Sequence, residues 1–328
     1  VSLVYLNGRF LPIEQACVSV MDRGFLFGDG VYEVIPAYGG HLFRLMAHLD
    51  RLDASLAAVR IANPCDRAAW RDLLQTLVDE AGAGDHGIYL QVTRGADIKR
   101  DHAFPVAEVK PTVFAMASPL HAPDPVRVEA GASARVMADT RWARCDIKAI
   151  TLLPNVLLRQ AALDAGDDEA ILVRDGEVLE GSASSLFIVT DGVLVTPPKS
   201  AMLLPGVTRD LVLSLAERHG LPWAERPVSE QALRTADEIW LTSSTREVMA
   251  VTRLDGELVG AGRPGPIWRR MADWYQACKA ELRTGGIAHE YARAGCRRNA
   301  LRVSMQLPDQ GLRARAARIP RACAGADS

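Results

Sequence analysis

The chain contains no Cys-x-x-Cys pair. Its six cysteines, Cys17, Cys65, Cys145, Cys278, Cys296 and Cys323, are widely scattered. That spacing argues against a disulfide framework or a thiolate metal cage and suits free thiols in a cytoplasmic protein. There is no H-E-x-x-H and no clustered Cys/His spacing, so no metal site is expected. No G-x-S-x-G elbow is present to support a serine hydrolase. No apolar run approaches the length of a membrane span. The first residues, VSLVYLNGRFLP, carry no basic region ahead of a long apolar core, so no signal peptide is expected. Charge of either sign is not in excess. The 38 basic and 40 acidic residues leave a formal net charge of -2, which gives no drive toward nucleic acid or anionic membrane.

What is present is the composition of an ordinary globular protein, 48% hydrophobic and 24% charged, in a chain of 328 residues. That length suggests about two domains. VYLNGRFLP reads as a hairpin turning at Asn7-Gly8, and VYEVIPAYGGHLFRL as another turning at Gly39-Gly40. A helix is expected from about His41 to Val59, because Leu45, Leu49, Leu52, Leu56 and Val59 recur at helical spacing. A second helix is expected over Arg67 to Glu80, followed by strands in GIYLQVTRG and TVFAMAS. These elements make a smaller N-terminal α/β domain over residues 1–118.

Residues 119–125, P-L-H-A-P-D-P, form the expected linker, since three prolines fix backbone angles and remove amide donors. A larger domain over 126–284 follows. It holds a helix near Asn155 to Ala165 and the hairpins AILVRDGEVLEG and LFIVTDGVLVTPP, each with Asp-Gly at its turn. An amphipathic helix from Thr208 to His219 closes at Gly220, and strands follow in DEIWLTSS and AVTRLDGELV. Short turns between adjacent strands argue for an α+β fold rather than a doubly wound sheet. From residue 285 the chain turns basic and loses any apolar period. It reads as a disordered or irregular tail, with no aromatic platform that would suggest nucleic-acid binding.

Several side chains are candidates for chemistry, each with a plainer alternative. Lys148 lies in the mostly apolar R-C-D-I-K-A-I-T-L-L-P-N. It either snorkels to solvent or is kept neutral as a nucleophile. Glu180 could hold a proton on a cofactor nitrogen or simply close a turn. In L-L-P-G-V-T-R-D-L, Thr208 opens a helix whose free amides and dipole suit a phosphate; it could equally be a simple cap. Ser243, Ser244 and Thr245 follow a strand and could bind phosphate with Arg51, which could instead be structural. Arg100 and His102, with Tyr32, could trap a carboxylate or form an exposed basic loop.

Together these stretches form a pattern. M-D-R-G-F-L-F-G-D-G-V-Y-E-V, D-T-R-W-A-R-C-D-I-K, L-L-P-N-V-L, E-G-S-A-S-S, L-L-P-G-V-T-R and L-T-S-S-T-R-E-V resemble the D-amino acid aminotransferases. These are pyridoxal-phosphate enzymes of fold type IV, shared with branched-chain aminotransferases and aminodeoxychorismate lyase. The resemblance spans about residues 3 to 280. It implies a two-domain mixed α/β fold whose larger, cofactor-binding domain carries a hairpin-rich, barrel-like sheet. It implies pyridoxal 5'-phosphate as cofactor, and transfer of the amino group of a D-amino acid, such as D-alanine or D-glutamate, to 2-oxoglutarate or pyruvate.

By position, Lys148 matches the lysine that bonds the cofactor and moves the proton. Glu180 matches the carboxylate on the pyridine nitrogen, and Arg51 the phosphate-binding arginine. Val207 and Thr208 match the phosphate cup and Ser244 its hydroxyl partner. Tyr32, Arg100 and His102 match the group holding the substrate carboxylate, with Ser184 beside the substrate. The arginine and histidine come from the neighbouring subunit in that family, so a homodimer is implied. The family's E-G-S-S-S-N reads E-G-S-A-S-S here, with Ala183 and Ser185 replacing a serine and the asparagine. On the same scaffold the alternatives are a branched-chain L-aminotransferase or aminodeoxychorismate lyase. Outside enzymes, the alternative is a catalytically idle dimeric binding protein.

Overall fold

A computed structural model describes residues 3–106 and 109–284; the basic segment 285–328 lies outside the described residues. Two hairpins start the first sheet. Strands β1 (Leu3–Leu6) and β2 (Arg9–Pro12) meet across Asn7-Gly8, both at positive φ (49° and 91°). The short helix α1 (Arg23–Phe27) leads into β3 (Gly30–Tyr38), which turns at Gly39-Gly40 into β4 (His41–Leu42). Helices α2 (Leu45–Ala58) and α3 (Arg67–Ala81) follow. Strands β5 (His86–Thr93) and β6 (Thr112–Pro119) then complete a six-stranded antiparallel sheet in the order β2-β1-β6-β5-β3-β4.

The leucine stripe of α2 explains its docking. Leu45, Leu49, Leu52 and Leu56 are buried with Trp70, Leu74 and Leu77 of α3 against Ile35, Ile88 and Leu90 of the sheet. Each such side chain contributes about 2 kcal/mol on leaving water. The helix begins at Leu45 rather than near His41. His41 and Leu42 are held as strand by pairing with Tyr38 and Ala37, and Arg44 takes a left-handed φ of 53°. Ladder hydrogen bonds thus override the helical period at its N-terminal end.

The second sheet begins after α4 (Pro125–Ala130) with β7 (Ala132–Ala138). A long loop and α5 (Leu153–Asp164) lead to β8 (Glu169–Arg174), β9 (Glu177–Gly181), β10 (Ser185–Thr190) and β11 (Val193–Thr196). Then come α6 (Val207–Arg218), β12 (Trp223–Glu225), β13 (Val228–Ser229) and α7 (Glu230–Arg234). Strands β14 (Glu238–Ser243), β15 (Glu247–Leu254) and β16 (Glu257–Leu258) precede α8 (Pro266–Arg283).

Six of these strands run β10-β14-β15-β7-β8-β9, and β9 returns to β10 through the pair Glu180–Ser185, closing a barrel. Alternate residues of one face, including Ala134, Ile171, Val178, Leu186 and Leu241, make one core. The opposite face, with Phe187, Val189 and Trp240, packs on α6 and α8. The hairpin turns fall at Asp175-Gly176 and Asp191-Gly192, all at positive φ. Not every junction is a hairpin, however. β7 pairs parallel to both β8 and β15, and β11 parallel to β12, with α5 and α6 as crossovers. Pro154 sits inside the first turn of α5, where a missing amide costs no helical bond. Among the described residues no helix is long and apolar enough to cross a membrane.

Candidate active site

The loop between β7 and α5 carries Lys148 and is laced to the first sheet. The Lys148 amide donates to Ser55 Oγ at 3.2 Å, and its carbonyl accepts from the Tyr32 amide at 2.9 Å. The Ile150 amide donates to the Gly30 carbonyl at 3.1 Å. Gly30 is required there, because a Cβ would fall 2.7 Å from the Val92 carbonyl oxygen. These bonds set Lys148 on a cavity of about 260 Å³, with its Nζ 4.0 Å from the Tyr32 ring centroid.

Tyr32, Arg51, Lys148, Glu180, Ser184, Val207, Thr208 and Ser244 all line this one cavity. They come from β3, α2, the loop before α5, the end of β9, the β9–β10 turn, the start of α6 and the turn after β14. Arg100 and His102 do not line it. Both are exposed on the loop after β5 and flank Phe27, with Arg100 Cζ 4.9 Å and the His102 ring centroid 5.3 Å from the Phe27 ring centroid.

The electrostatics follow from burial. Enclosure pulls the Lys148 amine down to about 7, helped by the Arg51 charge and opposed by Glu33 and Glu180. Arg51 is fixed by Glu33, which is completely buried. Nε donates to Oε1 at 2.8 Å and Nη2 to Oε2 at 2.7 Å, while His48 Nδ1 lies 2.8 Å from Oε2. Burial would raise the Glu33 carboxyl, but Arg51 and His48 overcome it and hold the group at about 2. Arg51 Nη1 also donates to the Pro205 carbonyl at 3.1 Å, which brings the guanidinium to the N-terminus of α6.

That helix start is open to an anion. The leading amides of α6 lie outside its i→i−4 ladder, and the N-cap is Gly206 with no side-chain cap bond. A Cβ on Gly206 would fall 2.4 Å from Ser185 Oγ. Two hydroxyls in the cavity wall, Ser184 Oγ and Thr242 Oγ1, are buried with no hydrogen-bond partner among the described residues. Unpaired buried donors and acceptors of this kind call for a ligand or water.

Glu180 occupies another wall. Its carboxylate accepts from Arg141 Nη1 and, at 3.1 Å, from the Leu204 amide. Burial pushes it up to about 7 against the pull of both partners. Arg141, Glu33, His48 and Asn155 were not candidates from sequence, although Arg141 lies in the quoted D-T-R-W-A-R-C-D-I-K. Asn155 lines the cavity and donates through Nδ2 to the Ser182 carbonyl at 2.8 Å. A nucleophilic amine, a buried carboxylate and an anion cradle in one cavity suit a phosphorylated heteroaromatic aldehyde, and the residues fit pyridoxal phosphate.

Residues 30–254 match the family described as amino-transferase class IV, and the chain belongs to that family. It is 42% identical over 268 residues to the D-alanine aminotransferase of Bacillus licheniformis, covering 82% of this chain and 94% of that one. It is 36% identical to the D-alanine aminotransferase of Staphylococcus haemolyticus, over 83% of this chain and 96% of that one. Among solved structures, the branched-chain amino acid aminotransferase of Escherichia coli superposes with a TM-score of 0.80 at 28% identity, over 84% of this chain and 94% of that one.

Proposed function

We propose that the protein is a cytoplasmic D-amino acid aminotransferase that uses pyridoxal 5'-phosphate. It moves the amino group of a D-amino acid, such as D-alanine or D-glutamate, to a 2-keto acid such as 2-oxoglutarate or pyruvate. The observation that carries this reading is the meeting of Lys148, Glu180, Arg51 and the α6 N-terminus in one cavity. Its D-specific part is supported by the similarity to D-alanine aminotransferases along most of the chain.

When bound, pyridoxal phosphate supplies an aldehyde for the amine and a ring that withdraws electrons from the α-carbon. Arg51, the Val207 and Thr208 amides, the Thr208 hydroxyl and Ser244 would hold the phosphate. Glu180 would hold the ring nitrogen and favour its protonated form. Lys148, with its amine lowered to about 7, is neutral over the alkaline range. It is therefore able to bond the aldehyde, and to take a proton from the substrate α-carbon and return it. Tyr32 and Ser184 border the substrate.

Arg100 and His102 hold the substrate carboxylate in the cavity of a second copy, in a homodimer. Their absence from the lining of their own cavity supports this, as does the apolar surface that α5 presents to solvent. Leu153, Val156 and Leu157 are exposed there, and Val156 also borders the cavity. Residues 119–125 are proposed as the boundary between two domains.

A chiral assay of D- and L-amino donors with 2-oxoglutarate and pyruvate tests the activity. Turnover of D-alanine or D-glutamate is expected, and equal turnover of L-leucine or L-valine would defeat the D-specific reading. Arg100→Ala should raise the KM for the amino donor while leaving cofactor affinity unchanged in a titration.

A further inference from the structure

A buried carboxylate is costly unless charge and hydrogen bonds compensate it. Among the described residues the one cation bonded to Glu180 is Arg141, whose Nη1 donates to Oε1. That guanidinium has no freedom to turn away. Its Nε and Nη2 donate to Asp139 at 2.9 and 3.1 Å, and its own amide donates to the same carboxylate at 3.0 Å. Asp139 in turn has no exposed side-chain surface and pairs with Arg174 of β8 at 3.0 Å. Arg174 Nη2 also donates to the Arg141 carbonyl at 2.8 Å. The result is a fixed chain of alternating charge, Arg174–Asp139–Arg141–Glu180, ending in the cavity.

We propose that Arg141, locked by Asp139, is a positioning residue that favours the ionised form of Glu180 and aims its carboxylate into the cavity. The inference rests on the reading that Glu180 faces the ring nitrogen of bound pyridoxal phosphate. The titratable and charged groups around Glu180 are Asp139, Arg141, Cys145 and Lys148 of the loop, Arg174 of β8 and Tyr32 of β3. Burial is the largest influence on Glu180 and raises it; Arg141 and the Leu204 amide lower it, and the neighbouring Asp139 charge raises it again. Arg141 is therefore the residue whose loss carries Glu180 from partly ionised to almost wholly neutral at neutral pH. A neutral acid would no longer stabilise positive charge on the ring nitrogen.

The test is an infrared titration of the protein with 13C-labelled glutamate, with and without pyridoxal phosphate, the Glu180 band being assigned by Glu180→Gln. Absorbance of the bound cofactor against pH is the second readout. Arg141→Met should raise the Glu180 midpoint by about 1–3 pH units, as loss of an adjacent cation does. Arg141→Gln, closer in polarity, should do the same and serves if the methionine variant does not fold. Arg141→Lys, which keeps the charge, should titrate near the wild type. The proposal is overturned if either neutral variant titrates with the wild type, or if the lysine variant moves as far as the neutral ones. If the protein never takes up pyridoxal phosphate, the functional reading fails. The cofactor-free titration still decides the role of Arg141.

Discussion

Glu33 offers the sharpest test of how the cavity is held together. It has no solvent exposure, and its two oxygens receive the Arg51 fork and His48. Its carboxyl sits at about 2 rather than 4.5. Its folded-state value is therefore depressed, and the stability it contributes is present above about 4.5 and lost as the pH falls through about 2. The difference corresponds to about 3 kcal/mol at neutral pH. Glu33→Gln keeps the shape but leaves the Arg51 charge buried and unpaired, a change that costs about 3–5 kcal/mol in comparable sites. The two routes agree. Urea unfolding of wild type and variant should show a gap of about 3 kcal/mol at pH 7 that narrows by about 2 kcal/mol at pH 3. A gap that stays constant between those two pH values would refute the assignment of the ion pair as the source of the stability.

Two further outcomes bear on the cavity itself. In the cofactor-free protein, amine-selective labelling followed by mass spectrometry should modify Lys148 with a midpoint near pH 7, well before the exposed lysines; a Lys148 that labels only with the bulk lysines would contradict its low proton affinity. Gly206→Ala would place a Cβ 2.4 Å from Ser185 Oγ, so pyridoxal phosphate affinity should fall by about tenfold, equal to about 1.4 kcal/mol. Unchanged affinity in a fluorescence titration would show that the α6 N-terminus does not cradle the phosphate.

The hairpins were readable because their turns are local. Asn7-Gly8, Asp175-Gly176 and Asp191-Gly192 adopt the positive φ that their residue types favour. The leucines of α2 declared its buried face for the same reason. The parallel pairings of β7 were not readable, since β15 joins it from more than a hundred residues downstream. The candidate cavity divides in the same way. Its motifs were visible as short strings, but the pairing of Glu33 with Arg51 joins a strand to a helix across 18 positions. The Asp139–Arg141–Glu180 chain exists only once the β7–α5 loop folds back over β9. Side chains that position others leave no local periodicity, so only the assembled structure brings them out.

The barrel closes where Glu180 pairs with Ser185. A ring of strands closes only if its successive offsets add up, so this last pair inherits the alignment of all the others. A slip of one residue in any of the six strands would turn the side chains beyond it to the opposite face. The acid in the cavity is thus a readout of how faithfully the whole ring has assembled. Insertions in the outer loops are expected to be tolerated, whereas a single residue added within β8, β9, β10 or β14 would disable the site even in a protein that still folds.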